Sequence, residues 1–247
     1  MTILKKRTIN DYRFILLRIF VRIIFPKYPL HWHQLYWIKN KKFNNFIKKF
    51  DEENECNAHR RWMMSELMRL VENIPGHTAE CGCFEGAGSY IIAKFNSNNS
   101  LLKKDHYIFD SFEGLSNPTS NDGNYWIKGD LSVSELTLKN NLIEFSENLK
   151  ILKGWIPDRF DEVKFENFSF VHIDVDLEIP TIQCLEFFYP LVSEGGIILF
   201  DDYGFETCPG ATKKIDNYFK NKSEKVIQLP NGSGFIIKDK IVGKSIF

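Results

Sequence analysis

The sequence predicts an α/β fold: a mostly parallel central sheet with helices on both faces, ending in a C-terminal antiparallel hairpin. Three observations predict it. From His77 onward, short apolar runs alternate with helix-like segments, the pattern of successive parallel β-α units. Three of those runs end in an acid, at Asp110, Asp174 and Asp201. Near the C-terminus, Pro230-Asn231-Gly232-Ser233 joins two further strand candidates, and Asn-Gly is a strong hairpin signal.

In chain order, residues 1–70 read as a basic, helical N-terminal extension and 71–247 as the main domain. Residues 1–30 carry seven basic side chains (Lys5, Lys6, Arg7, Arg13, Arg18, Arg22, Lys27) against Asp11 alone. The apolar stretch from Phe14 to Phe25 is interrupted by Arg18 and Arg22. A membrane span needs about 20 mostly apolar residues, and a signal peptide's apolar region would avoid those arginines. The segment therefore predicts an amphipathic helix packed on the domain or on a second subunit, hence a homo-oligomer. Peripheral attachment to an anionic membrane surface is the alternative.

The expected strands are His77–Gly82, His106–Asp110, Leu149–Leu152, Phe168–Ile173 and Gly196–Phe200, with hairpin strands at Lys225–Leu229 and Gly234–Lys238. Helices are expected at Ser89–Phe95, Glu135–Leu142, Pro180–Leu191 and Ala211–Phe219. Pro180 suits a first helical turn, where a missing N–H costs nothing, and Ile182, Leu185 and Phe188 share a face.

Lysine plus arginine equals aspartate plus glutamate at 32 each. That balance offers no global field to nucleic acid. Five cysteines at scattered spacings (Cys56, Cys81, Cys83, Cys184, Cys208) give neither a disulfide framework nor a four-ligand zinc pattern, and reduced thiols in a cytoplasmic protein are the simpler expectation.

The segment from Glu80 to Ser89 follows the first strand and opens a helix. Gly82, Gly86 and Gly88 would let the backbone turn and approach a ligand, although an ordinary β-α turn explains glycines equally well. The spacing does not match the diphosphate-binding Gly-x-Gly-x-x-Gly pattern. Glu80 and Glu85 add negative charge, which suits a sulfonium with its ammonium group better than a diphosphate. Asp110 lies 28 residues after Gly82, one β-α-β step. At a strand tip it can accept hydrogen bonds from both ribose hydroxyls of an adenosine.

Asp174 and Asp176 follow the fourth strand, and Asp201 and Asp202 follow the fifth, 27 residues beyond Asp174. Ligands in open α/β sheets bind outside the strands' carboxyl ends. Asp174, Asp201 and Asp202 are thus expected at one rim, where mutual repulsion would raise their pKa values unless a cation is present. Carboxylate oxygens suit magnesium or another hard divalent ion. Helix capping is the competing explanation, and it fits Asp176 better than Asp174.

These residues resemble the macrocin O-methyltransferase family (TylF/MycF type), from about Gly76 to Lys238. The likeness rests on Glu80–Ser89, Asp-Ser-Phe-Glu-Gly-Leu at 110–115, Lys-Gly-Asp-Leu-Ser-Val-Ser at 128–134, Lys-Gly-Trp at 153–155, Asp-x-Asp at 174–176, Tyr-Pro-Leu-x-x-x-Gly-Gly at 189–196 and Asp-Asp-Tyr-Gly at 201–204. The resemblance implies a Rossmann-like class I methyltransferase fold that binds S-adenosylmethionine through Glu80, Gly82, Glu85, Ser89, Asp110, Ser111 and Trp155. It implies Mg2+, or a similar ion, on Asp174, Asp201 and Asp202, and methylation of a hydroxyl on a sugar or glycosylated small molecule. Val175 and Glu178 stand where the family has glycine and tyrosine, and Ser116–Trp126, expected in a substrate lid, matches nothing clearly. Asp174 or a lid residue is the expected proton acceptor. The rival readings are a non-catalytic S-adenosylmethionine-binding partner subunit and an NAD-dependent dehydrogenase.

Overall fold

Strand β1 (His77–Cys81) is buried along nearly its whole length, because parallel neighbours flank it and helices cover both its faces. It pairs in parallel with β2 (His106–Asp110) and with β4 (Phe168–Ile173). β3 (Leu149–Lys153) pairs with β2, and β5 (Val192–Phe200) with β4, again in parallel. β7 (Gly234–Ile237) joins β5 antiparallel, and the short β6 (Ile227–Gln228) pairs with β7. The order is β3-β2-β1-β4-β5-β7-β6. This is a class I methyltransferase fold, a mostly parallel sheet closed by an antiparallel pair. The computed structural model describes residues 8–24, 35–53, 55–98, 102–241 and 243.

The chain divides into two compact units, residues 1–51 and 52–247. The smaller contains helices α1 (Ile9–Ile24) and α2 (Lys41–Lys49). Lys5, Lys6, Arg7 and Lys27, which the sequence placed in the basic extension, and Phe25, the end of its apolar stretch, lie outside the described residues. Helix α3 (Glu55–Leu70), read from sequence as part of that extension, packs in the larger unit: Met64, Leu67 and Met68 form a core cluster with Ile92, Phe170 and Leu199.

The larger unit continues with α4 (Ala87–Asn98), α5 (Glu135–Asn141), α6 (Glu178–Phe188) and α7 (Pro209–Phe219). Successive residues of a strand face opposite sides. Along β4, Phe170 packs with α3 and α4, while Val171 and Ile173 join the other cluster, with Leu185 and Phe188 of α6 and Ile215 and Phe219 of α7. Every β4 residue is buried, which is why its sequence is a near-continuous apolar run. β5 begins at Val192, four residues before the predicted start. Gly195, at φ +77°, interrupts the apolar pattern there, yet its N–H still bonds Lys238 O at 3.0 Å. The hairpin forms at Asn231-Gly232 with Gly232 at φ +80°, and pairing extends over only two residues of β6.

Candidate active site at the strand ends

A cavity of about 360 Å³ opens beyond the carboxyl ends of β1, β2 and β4. Gly82, Asp110 and Asp174 enter it from these three neighbouring strands, together with Ser111, Trp155 and Asp176. Phe84, Leu115, Leu131, Ile156 and Leu177 supply apolar walls. Three non-glycine residues lining it hold positive φ: Phe84 at 45°, Leu131 at 60° and Asp176 at 58°. Such strain concentrates where surrounding structure fixes a functional geometry.

The sequence-predicted cofactor residues separate into two groups. Gly82, Asp110, Ser111 and Trp155 line the cavity; Glu80, Glu85 and Ser89 do not. Gly82 is required by strand packing, because a Cβ there would meet Asp174 O at 1.8 Å. Asp110 accepts the Cys83 N–H through Oδ2 at 2.8 Å and the Phe112 N–H through Oδ1 at 2.7 Å, so it also holds the two loops that form the rim. Ser111 Oγ donates to Gly114 O at 3.1 Å and accepts the Glu113 N–H at 3.0 Å. Glu85 is half-buried, and its carbonyl accepts from Asn141 Nδ2 at 2.8 Å.

Glu80 lies in the layer behind the cavity, where strand alternation directs it, and Ser89 reaches the same layer from the first turn of α4. Ser89 Oγ donates to Glu80 Oε2 and lies 3.2 Å from His106 Nε2. Glu80 Oε1 is 2.8 Å from His172 Nδ1. A Cβ at Gly88 would meet Glu80 Oε1 at 2.1 Å, so that glycine lets α4 sit directly on the buried acid. Burial alone would raise the Glu80 pKa, but its histidine partners bring it down to about 2. His172 is fully buried; the acids on either side outweigh its burial and push it up to about 10.

The three predicted metal ligands fall into two adjoining clusters. Asp174 and Asp201 gather with His172, while Asp202 gathers with Asp176 and Cys208, the ligand atoms of each set lying within 4.8 Å of one another. Burial, then Asp201 and Asp202, push the Asp174 carboxyl up; burial, then Asp176 and Asp201, do the same to Asp202. Carboxylates so crowded and desolvated are the donor set that a hard divalent cation relieves, so the residues present fit such an ion.

Arg60 of α3 forms an ion pair with Asp201. Nothing in the sequence singles this residue out except a tandem Arg60-Arg61 in a helical stretch. Arg61 is taken up separately, by Glu52, with Nε to Oε2 at 2.9 Å and Nη2 to Oε1 at 2.9 Å. Asp176 does not cap α6. Its N–H donates to Asp202 Oδ2 at 2.8 Å, its Oδ1 accepts from Cys208 Sγ at 3.5 Å, and burial followed by Asp174 pushes its pKa up to about 7. Asp122 caps that helix instead, its Oδ1 accepting the Glu178 N–H at 2.7 Å. Thr119 Oγ1 and Asn121 Nδ2 donate to Glu178 Oε1 at 2.6 and 3.1 Å. Glu178 thereby pins the segment between Ser116 and Leu131, two residues that line the cavity.

A family model described as macrocin-O-methyltransferase (TylF) matches residues 59–229. The demethyldecarbamoylnovobiocin O-methyltransferase of Streptomyces niveus is 26% identical over 163 residues, 60% of this chain and 60% of that protein. The mycinamicin III 3''-O-methyltransferase of Micromonospora griseorubida is 24% identical over 151 residues, 56% and 59% of the two chains. The matches therefore span about 60% of these curated relatives. Among solved structures, the O-methyltransferase NovP superposes with TM-score 0.64 at 22% identity, covering 74% of this chain and 81% of that one. CalS11, a calicheamicin methyltransferase, superposes with TM-score 0.68 at 16% identity and covers 95% of each chain.

Proposed function

The chain belongs to the macrocin-O-methyltransferase (TylF) family, and from that premise we propose that it transfers a methyl group from S-adenosylmethionine to a hydroxyl of a sugar or glycosylated small molecule, assisted by Mg2+ or a similar divalent ion. The observation that carries the reading is one cavity shared by Gly82, Asp110 and Asp174 from three adjacent strands, with a carboxylate cluster at its edge. A further relative, the 8-demethyl-8-(2,3-dimethoxy-alpha-L-rhamnosyl)-tetracenomycin-C 4'-O-methyltransferase of Streptomyces olivaceus, 23% identical over 154 residues, is named for a rhamnosyl-bearing acceptor, which supports the acceptor class.

S-adenosylmethionine, when bound, supplies a methyl group on an electrophilic sulfonium. Asp110 accepts hydrogen bonds from the ribose hydroxyls. Phe84, Leu115, Leu131, Trp155 and Ile156 give the adenosine an apolar wall and keep water from the reacting centre. Asp174 and Asp201, with Asp202 in the adjoining cluster, would hold the divalent ion, which would supply Lewis acidity towards the acceptor hydroxyl. Asp174 serves the ion, and Asp176, on the same wall, takes the proton at Oδ2, since Oδ1 is engaged by Cys208. Glu178 fixes the segment that closes over the acceptor.

The test is calorimetric titration with S-adenosylmethionine, followed by transfer of labelled methyl to a panel of deoxysugar, heptose and glycosylated phenolic acceptors. Binding with transfer to a sugar hydroxyl supports the reading. Absence of S-adenosylmethionine binding, or methylation confined to a nitrogen nucleophile, rejects it.

A further inference from the structure

We infer that helices α1 and α2 present a docking surface for an anionic phospholipid bilayer, with α1 lying in the headgroup plane. The first observation is a partition of charge. The whole chain is neutral, yet residues 1–51 hold twelve lysines and arginines against Asp11 and Asp51, leaving twenty basic and thirty acidic residues in the other unit. A net +10 on so short a segment is the asymmetry expected of a unit that meets a polyanionic surface.

The second observation is the exposed face of α1. Ile9, Tyr12, Leu16, Leu17, Ile19, Phe20, Ile23 and Ile24 are all exposed, Phe20 by 66% and Ile23 by 74%. At 100° per residue they form one continuous arc, with Arg13 inside it and Arg18 and Arg22 on the opposite side. Contiguous large apolar side chains in water are costly unless something covers them. α2 adds Lys41, Lys42, Lys48 and Lys49, all exposed, around Phe43 and Phe46.

The chemistry selects among coverings. Nucleic acid would engage the basic groups but leave the aliphatic arc in water. A second copy would bury the arc, but a symmetric α1–α1 contact would place Arg13 in an apolar seam with no acid to meet it. A lipid surface satisfies both: acyl chains take the apolar arc, phosphates take the Arg13 guanidinium within it and the lysine ammonium groups of α2, and Arg18 and Arg22 on the far side of α1 add attraction at longer range. The helix has 16 residues, about 24 Å at 1.5 Å per residue, short of the roughly 30 Å hydrocarbon core. Among the described residues no helix is long and apolar enough to cross a membrane, and the inference places α1 in the headgroup plane.

Sedimentation of the intact chain with vesicles of phosphatidylcholine, with and without phosphatidylglycerol, tests this directly. The protein should pellet only with the phosphatidylglycerol vesicles, and added salt should release it. Leu16→Gln/Phe20→Gln, at exposed positions and checked for folding by circular dichroism, should lower partitioning about tenfold or more. Arg13→Gln/Arg22→Gln should weaken binding to the anionic vesicles. The inference is overturned if the intact protein stays in solution with phosphatidylglycerol vesicles, or if Leu16→Gln/Phe20→Gln binds them unchanged. A lipid-free dimer by light scattering that this double variant dissociates would also overturn it, assigning the face to a second copy.

Discussion

Arg60 of α3 and Asp201 at the end of β5 form an ion pair whose side chains are 15% and 1% exposed. Burial would raise the aspartate's pKa, but Arg60 and then His172 hold it well below the usual carboxylate range. Arg60 is therefore a cation built into the carboxylate cluster. Replacing it by methionine leaves Asp201 buried without that partner, a change that costs about 3–5 kcal/mol in comparable buried pairs. A divalent ion would offset part of the loss. Arg60→Met should melt much lower than the wild type in EDTA and recover part of the difference in Mg2+ or Mn2+. An equal loss in both buffers would mean that no ion reaches Asp201.

Glu80 provides the acid-side pH dependence. Its folded pKa of about 2 lies below the ordinary 4.5. A depressed carboxyl contributes stability that is present above its unfolded pKa and lost as pH falls through its folded pKa. The contribution is therefore complete above about pH 4.5 and fades towards pH 2. For a fully buried group it is on the order of a few kcal/mol. Glu80→Gln should be less stable than the wild type at neutral pH, with the gap closing between pH 4.5 and 2 in urea unfolding series. A gap that stays constant with pH would mean that the shape of the residue matters, not its charge.

Asp110→Ala should weaken S-adenosylmethionine binding by roughly 1.5–3 kcal/mol, the range for hydrogen bonds to a charged group. Because Asp110 also accepts from the Cys83 and Phe112 N–H groups, the variant should lose thermal stability without ligand as well. Asp110→Asn keeps one acceptor oxygen and should recover more of the stability than of the affinity. Unchanged affinity in a folded Asp110→Ala protein, measured by calorimetry, removes the ribose assignment.

Much of the framework was legible in the sequence because the chemistry was local. His106–Asp110 and Phe168–Ile173 were located to the residue, since both are short buried runs bounded by polar residues. That Asp174, Asp201 and Asp202 follow strand ends was legible, but their division into two clusters, Asp174 and Asp201 with His172 and Asp202 with Asp176 and Cys208, was not, because side-chain direction beyond a strand end is set by the loop. Glu80 and Ser89 were legible as acid and hydroxyl but not as to depth: strand alternation turns Glu80 towards His172, behind the cavity. Arg60 lies 141 positions before its partner in a segment without periodic signal. The 116–126 segment matched nothing clearly for the same reason, because its order comes from Glu178, 59 residues beyond Thr119.

Glu178 should therefore govern acceptor binding more than cofactor binding. Glu178→Ala removes the acceptor oxygens used by Thr119 and Asn121 while keeping the backbone N–H that meets Asp122. The KM for the acceptor should rise several-fold, S-adenosylmethionine affinity should be little changed, and limited proteolysis should cut faster within 116–131. Glu178→Gln, which retains one acceptor oxygen, should recover part of the KM. Equal losses in cofactor and acceptor binding would place the defect in the whole rim rather than in the pinned segment.

The divalent ion yields the most decisive prediction. Asp174 and Asp202 are pushed up by burial and by neighbouring acids, so in the cation-free protein their charged forms are unfavourable. A group whose folded pKa is raised loses stability as pH rises from its unfolded towards its folded pKa. The cation-free protein should therefore become less stable above about pH 4, the ordinary carboxylate range, and Mg2+ should reverse that loss. Asp174→Asn and Asp202→Asn remove a repelling charge and should raise the melting temperature in EDTA while abolishing the stabilisation by Mg2+. Methyl transfer should stop in EDTA, return with Mg2+, and fall by orders of magnitude in the Asp201→Ala/Asp202→Ala variant. Melting curves and transfer assays on the same preparations separate the two effects. Full transfer by the wild type in EDTA, with no melting shift on adding Mg2+, would remove the ion from the reaction and leave the acids as a buried structural cluster.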